Sequence, residues 1–185
     1  MTIRTFIAIE IPNDALTQVK EIIRNEIGDI PNIKWEPIDK LHLTLKFLGD
    51  TKKESLDSYL SAIEKVTANY NKLELSFSKF GVFRKENMPK ILWIGINENK
   101  YLSNLVFDLE NEFYEFSFER ENRKFKPHLT LLRFRGHEDS EKILSLIQLN
   151  LPLIKFTAEK ITLFESKLLP SGSVYRSLKN FYLKN

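Results

Sequence analysis

Apolar and polar positions along this chain follow two periods, and the switches between them mark the expected elements. Ile3 to Ile11 runs with period two, placing Ile3, Thr5, Ile7 and Ile9 on one face and Arg4, Phe6 and Ala8 on the other, which predicts a strand. From Asn13, read as an N-cap, Leu16, Val19, Ile22 and Ile23 recur at helical spacing until Gly28 ends the pattern. A strand is expected again from His42 to Leu48, stopped by Gly49-Asp50. Thr51-Lys52-Lys53-Glu54 has the form of a capping box, with Leu56, Tyr59, Leu60, Ile63 and Val66 as the buried stripe of the helix behind it.

In the second half, Leu73, Leu75 and Phe77 alternate with polar partners in a half-solvated strand from Lys72 to Phe80, and Ile91 to Ile96 reads as a short buried strand. Tyr101, Leu102, Leu105, Val106, Leu109 and Phe113 make the stripe of a third helix. His128 to Phe134 is strand-like, Ile143, Leu144 and Ile147 mark a short fourth helix, and two more strands are expected near Lys160–Lys167 and Val174–Tyr182. Helical and strand periods interleave without a Gly-rich strand-to-helix turn, which argues against a dinucleotide-binding sheet. An α+β fold with largely antiparallel sheets is the expectation. No linker-like stretch divides residues 1–185, so one domain is expected.

One tetrapeptide occurs twice: His42-Leu43-Thr44-Leu45 returns, 86 residues on, as His128-Leu129-Thr130-Leu131. In a strand, i and i+2 share a face, so each His lies beside its Thr while the leucines fill the opposite side. Both copies run on to a cation and a Phe, Lys46-Phe47 and Arg133-Phe134, the second with one extra residue before the pair. Two histidines that titrate near neutrality suit paired proton donation and acceptance, and threonine hydroxyls can donate to phosphate oxygens. Metal chemistry fits less well, because the chain has no His-x-x-x-His, no His-Glu-x-x-His and no Asp-rich loop, and no cofactor is expected. A serine triad lacks its Gly-x-Ser-x-Gly elbow. His137, in a charged turn, reads as a surface residue.

Composition narrows the classes further. The chain is 42% hydrophobic and 29% charged, with 14 Phe, so a folded core is expected rather than disorder. It contains no cysteine, which excludes a disulfide scaffold, a thiolate metal site and a cysteine nucleophile. No apolar run is long enough to span a bilayer, and Phe6 to Ile11 contains Glu10 and does not read as a signal peptide. A cytoplasmic protein without membrane association is the expectation. Net charge is +3, yet Arg120 to Arg135 carries Arg120, Arg123, Lys124, Lys126, Arg133 and Arg135 against Glu121 alone. Such a stretch is either a solvated loop or an anion site for phosphate or RNA backbone.

The paired motif and its surroundings resemble the RNA 2′,3′-cyclic phosphodiesterases, also called 2′-5′ RNA ligases, of the two-histidine phosphoesterase superfamily. The resemblance rests on Arg4-Thr5-Phe6-Ile7-Ala8-Ile9, on Trp35, on Leu41 to Gly49, on Gly81-Val82-Phe83 and Pro89 to Gly95, on Phe125 to Arg133, and on Ser166, Gly172 and Tyr175. It departs at Leu132, where the family commonly has a small residue. The resemblance implies two pseudo-symmetric lobes around a central cleft, and hydrolysis of an RNA 2′,3′-cyclic phosphate end without a metal. It implies His42 as proton donor, His128 as proton acceptor, and Thr44 and Thr130 as holders of the non-bridging oxygens. Arg133 and Lys126 are candidates for further phosphate contact. RNA with a cyclic phosphate end is the expected partner, and no obligate protein partner is inferred. The alternatives are a related enzyme acting on a small nucleotide such as ADP-ribose 1″,2″-cyclic phosphate, and a non-catalytic RNA-binding module.

Overall fold

Two antiparallel sheets of four strands each carry the helices of this chain in the computed structural model, which describes residues 1–185 except Asn32, His137 and Ser171. The elements run β1 (Thr2–Glu10), α1 (Asn13–Ile27), β2 (His42–Lys52), α2 (Leu56–Thr67), β3 (Leu73–Lys85), β4 (Met88–Ile96), α3 (Lys100–Tyr114), β5 (His128–Arg133), α4 (Ser140–Leu144), β6 (Lys155–Ala158), β7 (Lys160–Leu169) and β8 (Gly172–Tyr182). The first sheet has the order β2-β1-β7-β8, the second β5-β4-β3-β6. The order β1-α1-β2-α2 is thus repeated as β4-α3-β5-α4, and β1 and β4 begin 86 residues apart.

The repeat is not two separate lobes in sequence. β3 follows the first unit but lies between β4 and β6 of the second sheet, while β7 and β8 follow the second unit and extend the first sheet from β1. Each lobe is completed by strands from the other half of the chain. One continuous apolar cluster joins them, from Ile7, Leu16 and Leu43 through Ile63 and Phe77 to Ile94, Leu105 and Leu129. Burying each such side chain is worth about 1.5–3 kcal/mol. Among the described residues no helix is long and apolar enough to cross a membrane.

Several expected boundaries shift, each for a local reason. Asn13 is the first residue of α1 rather than its cap. Pro12 occupies the cap position with an extended ψ of 138°, and no side chain caps the helix. Gly49 does not stop β2. It lies in the left-handed region, at φ 67°, where Leu48 bulges out of the pairing with β1, and the strand continues to Lys52. Thr51 is therefore a strand residue and makes no capping box: its buried hydroxyl lies 2.6 Å from that of Thr5. A short 3-10 turn, Lys53–Ser55, leads into α2. In and beyond α4 the buried residues are Ile143 and Leu146, because the chain tightens into a 3-10 turn after Leu144. β6 was not expected; with four residues, only Phe156 and Ala158 of it face the core.

Candidate active site

β2 and β5 are the edge strands of the two sheets, and they approach each other across the cleft. Their pairing with β1 and β4 is the same residue for residue. His42 lies opposite Glu10 and Thr44 opposite Ala8; His128 lies opposite Gly95 and Thr130 opposite Trp93. In both strands the leucine after the threonine, Leu45 or Leu131, bulges out of the register. A bulge bends its strand and re-aims the side chains beyond it.

That shared bulge corrects one sequence alignment. Lys46 and Arg133 are not equivalent. Lys46 pairs with Ile7 as Leu132 pairs with Leu92, and both are buried. The Lys46 ammonium is spent on Glu110 of α3, at 2.5 Å, away from the cleft. The residue matching Arg133 is Phe47, and both are exposed. Leu132, the departure from the family pattern, is wholly buried on the core side.

A cavity of about 360 Å³ opens between the two edge strands. His42, Thr44, His128, Thr130 and Arg133 all line it, so five of the six residues singled out in the sequence converge on one space. The sixth, Lys126, contributes differently. Its carbonyl oxygen lies 2.6 Å from His128 Nδ1, just as the Lys40 carbonyl lies 2.7 Å from His42 Nδ1. A carbonyl only accepts, so each Nδ1 carries the hydrogen and each Nε2 is left to give or take a proton. The Lys126 side chain is exposed and is not among the cavity-lining groups.

Aromatic rings wall both histidines. Phe6 and Tyr175 stand 4.8 and 5.1 Å from the His42 ring, and Phe164 at 6.3 Å. Phe83 and Trp93 stand 4.9 and 6.1 Å from His128. Burial among these rings pushes the His42 pKa below its ordinary 6.5; the Lys40 carbonyl opposes this, and the positive charge of Arg133 adds to it. Trp93 fits only because residue 81 is glycine: a Cβ there would sit 2.1 Å from the indole ring. Among the described residues the buried Trp93 Nε1 has no hydrogen-bond partner.

Sequence reasoning did not name Lys40, Arg4 or Glu36 as site residues, and all three line the cavity. Lys40 had a signal, since Lys-x-His precedes both threonines at Lys40-Leu41-His42 and Lys126-Pro127-His128. Glu36 had none. Its carboxylate lies 3.4 Å from Arg133 Nε, a pairing that only the folded chain creates. The basic stretch does not act as one patch. Arg120 lies 4.2 Å over the Tyr114 ring, Arg123 forks onto Glu121 at 2.8 and 2.9 Å, and Lys124 reaches Glu98 at 3.5 Å. Of its six cations only Arg133 lines the cavity. His137, expected at the surface, lies outside the described residues. Among the described residues, no group of three or more His, Cys, Asp or Glu is arranged to hold a metal ion.

Comparison with known proteins agrees with this architecture. Residues 34–168 match the 2′-5′ RNA ligase superfamily, and the chain belongs to it. An RNA 2′,3′-cyclic phosphodiesterase of Thermotoga maritima is 28% identical over 95% of this chain and 92% of its own length. One from Methanothermobacter thermautotrophicus is 27% identical over 99% of this chain and all of its own. The fold matches that of the Escherichia coli protein LigT in its apo form with a TM-score of 0.76, at 22% identity, covering 100% of this chain and 99% of that one. The α+β fold with two antiparallel sheets is as the sequence patterning and the family resemblance anticipated.

Proposed function

We propose that residues 1–185 act as one catalytic unit that hydrolyses RNA 2′,3′-cyclic phosphodiesters to 2′-phosphomonoesters. The observation that carries this reading is the convergence of two His-x-Thr faces, from opposed edge strands, on one cavity that also holds Arg133. The names of the relatives at 27–28% identity over nearly the full chain support the same reaction.

In the reaction, water attacks phosphorus and the bond from phosphorus to the 3′ oxygen breaks. His128 takes a proton from the water through Nε2, and His42 gives a proton to the departing 3′ oxygen through its own Nε2. The Nδ1 bonds to the carbonyls of Lys126 and Lys40 hold both rings in the needed tautomer. Thr44, Thr130 and Arg133 hold the non-bridging oxygens as charge builds on them. With the 5′ hydroxyl of a second strand in place of water, the same bond chemistry forms a 2′-5′ linkage. The cysteine-free chain suits the reducing cytosol, where we place the activity.

The test is turnover of an oligonucleotide ending in a 2′,3′-cyclic phosphate, with the product identified as the 2′-phosphate. His42→Ala and His128→Ala are each expected to cost roughly 10²–10⁴-fold in kcat. Near-wild-type activity in either variant would refute the assignment. All acid, base and phosphate contacts in this scheme come from side chains, so activity is expected to persist in EDTA. Loss on chelation, restored by a divalent ion, would overturn the scheme.

A further inference from the structure

The cavity that holds the two histidines has a cationic lining: Arg4, Lys40 and Arg133 all face it. Glu36 is the one carboxylate among the described residues that line it. A negative charge in an anion site is costly unless it has a task, because like charges at close range repel. Its placement is fixed rather than incidental. The Glu36 backbone N–H donates to the Leu131 carbonyl at 2.9 Å, and Trp35 bridges to Leu132, so the segment is fastened to the β5 edge. From there Oε1 reaches Arg133 Nε at 3.4 Å. The side chain is about three-quarters buried, at 27% exposure, so solvent screens it only partly.

Hydrolysis changes the charge of what the cavity holds. The cyclic diester carries one negative charge. Adding water breaks one ester bond and creates a P–OH, whose proton leaves with a pKa of about 6. Near neutrality the product therefore carries close to one more negative charge than the substrate, on the same phosphorus and against the same cations. Without a counterweight, those cations would hold the product more tightly than the substrate.

We propose that Glu36 is a specificity-determining residue that supplies this counterweight, sharing Arg133 with the singly charged diester and favouring release of the doubly charged monoester. The inference rests on the reaction proposed above. Repulsion from one fixed charge scales with ligand charge. A threefold gain in affinity for the diester on removing Glu36 would thus accompany roughly a tenfold gain for the monoester. That squared relation distinguishes a charge filter from a residue that merely aims Arg133.

The experiment compares wild type, Glu36→Gln and Glu36→Asp at pH 7.5. Adenosine 2′-phosphate and adenosine 2′,3′-cyclic phosphate are titrated by calorimetry, each in a His128→Ala background that slows turnover, and product inhibition is measured in the His128-containing proteins. Glu36→Gln is expected to tighten the monoester roughly tenfold and the diester roughly threefold, and to deepen product inhibition. Glu36→Asp keeps the charge and is expected to keep the wild-type ratio. Equal shifts for both ligands, or weaker binding of both, would overturn the filter and leave Glu36 as a support for Arg133. Should the Gln variant not fold, Glu36→Ala makes the same comparison. If wild type turns over no cyclic phosphate, the proposed reaction fails, and the two titrations still decide whether Glu36 discriminates by charge.

Discussion

His42, the proton donor of the proposed reaction, shows how surroundings constrain such a group. Burial against Phe6 and Tyr175, with Arg133 nearby, favours its neutral form and lowers its pKa below 6.5. A donor must be protonated, and the charge of a bound phosphodiester supplies the opposing pull. A bell-shaped wild-type pH profile reports an acid and a base without saying which residue is which, so it does not assign either limb. The single variants do. In His128→Ala only His42 is left, and as a donor it is active when protonated. Residual kcat/KM is therefore expected to fall as pH rises through a midpoint below 6.5. A residual activity that rises with pH instead would exchange the roles of the two histidines. Thr44→Ala and Thr130→Ala are expected to lose about 1.5–3 kcal/mol of transition-state binding each, the worth of one hydrogen bond to a charged oxygen. At this scale the sequence was most legible where it repeated itself. The two His-x-Thr pairs could be read directly, Lys40 could have been found through Lys-x-His, and Glu36 could not, because its partner lies in the other half of the chain.

Helices were legible because their apolar stripes have a period that few alternatives share. The stripe of α3, Leu102, Leu105, Val106, Leu109 and Phe113, is buried as its spacing required. Strands were legible in position but not in partner. Alternation shows which face of β3 is buried and nothing about β6 joining it, and β6 itself is too short to declare a period. Bulges were invisible: Gly49 looks like a strand end, and the register steps at Leu45 and Leu131, which fall at the same place in both motifs, leave no mark in the sequence. The close contact of β3 and β4 beside His128 is equally silent, since nothing in the local pattern sets Trp93 against Gly81. Gly81→Ala is expected to push the indole aside and cost about 1–3 kcal/mol of stability, as overpacking does. A denaturant midpoint would measure this, and turnover would show whether the shift reaches His128. An unchanged midpoint would mean that Trp93 has room to move.

At the scale of the whole molecule the exchange of strands decides how the halves behave. The β3–β4 turn, Glu86-Asn87, is exposed, and both residues have positive φ. A chain cut there gives one fragment with His42 and one with His128. Neither fragment has a complete sheet, because β3 leaves with the first and β7 and β8 with the second. The fragments are expected to be unfolded and inactive alone, and to recover activity when mixed. Circular dichroism of each fragment, and turnover of the mixture, would check this; a fragment that folds alone would show that the exchanged strands are dispensable.

Such a cut chain would also behave differently on dilution. Its two histidines would meet only as often as two molecules do, so activity per fragment would fall with concentration. In the intact chain the turn at Glu86-Asn87 holds the halves within reach, which gives each histidine a high and constant local concentration of the other. One short hairpin thus makes the assembly of the proposed site independent of how much protein is present, so that a site built from two halves of a chain would work even in a scarce protein.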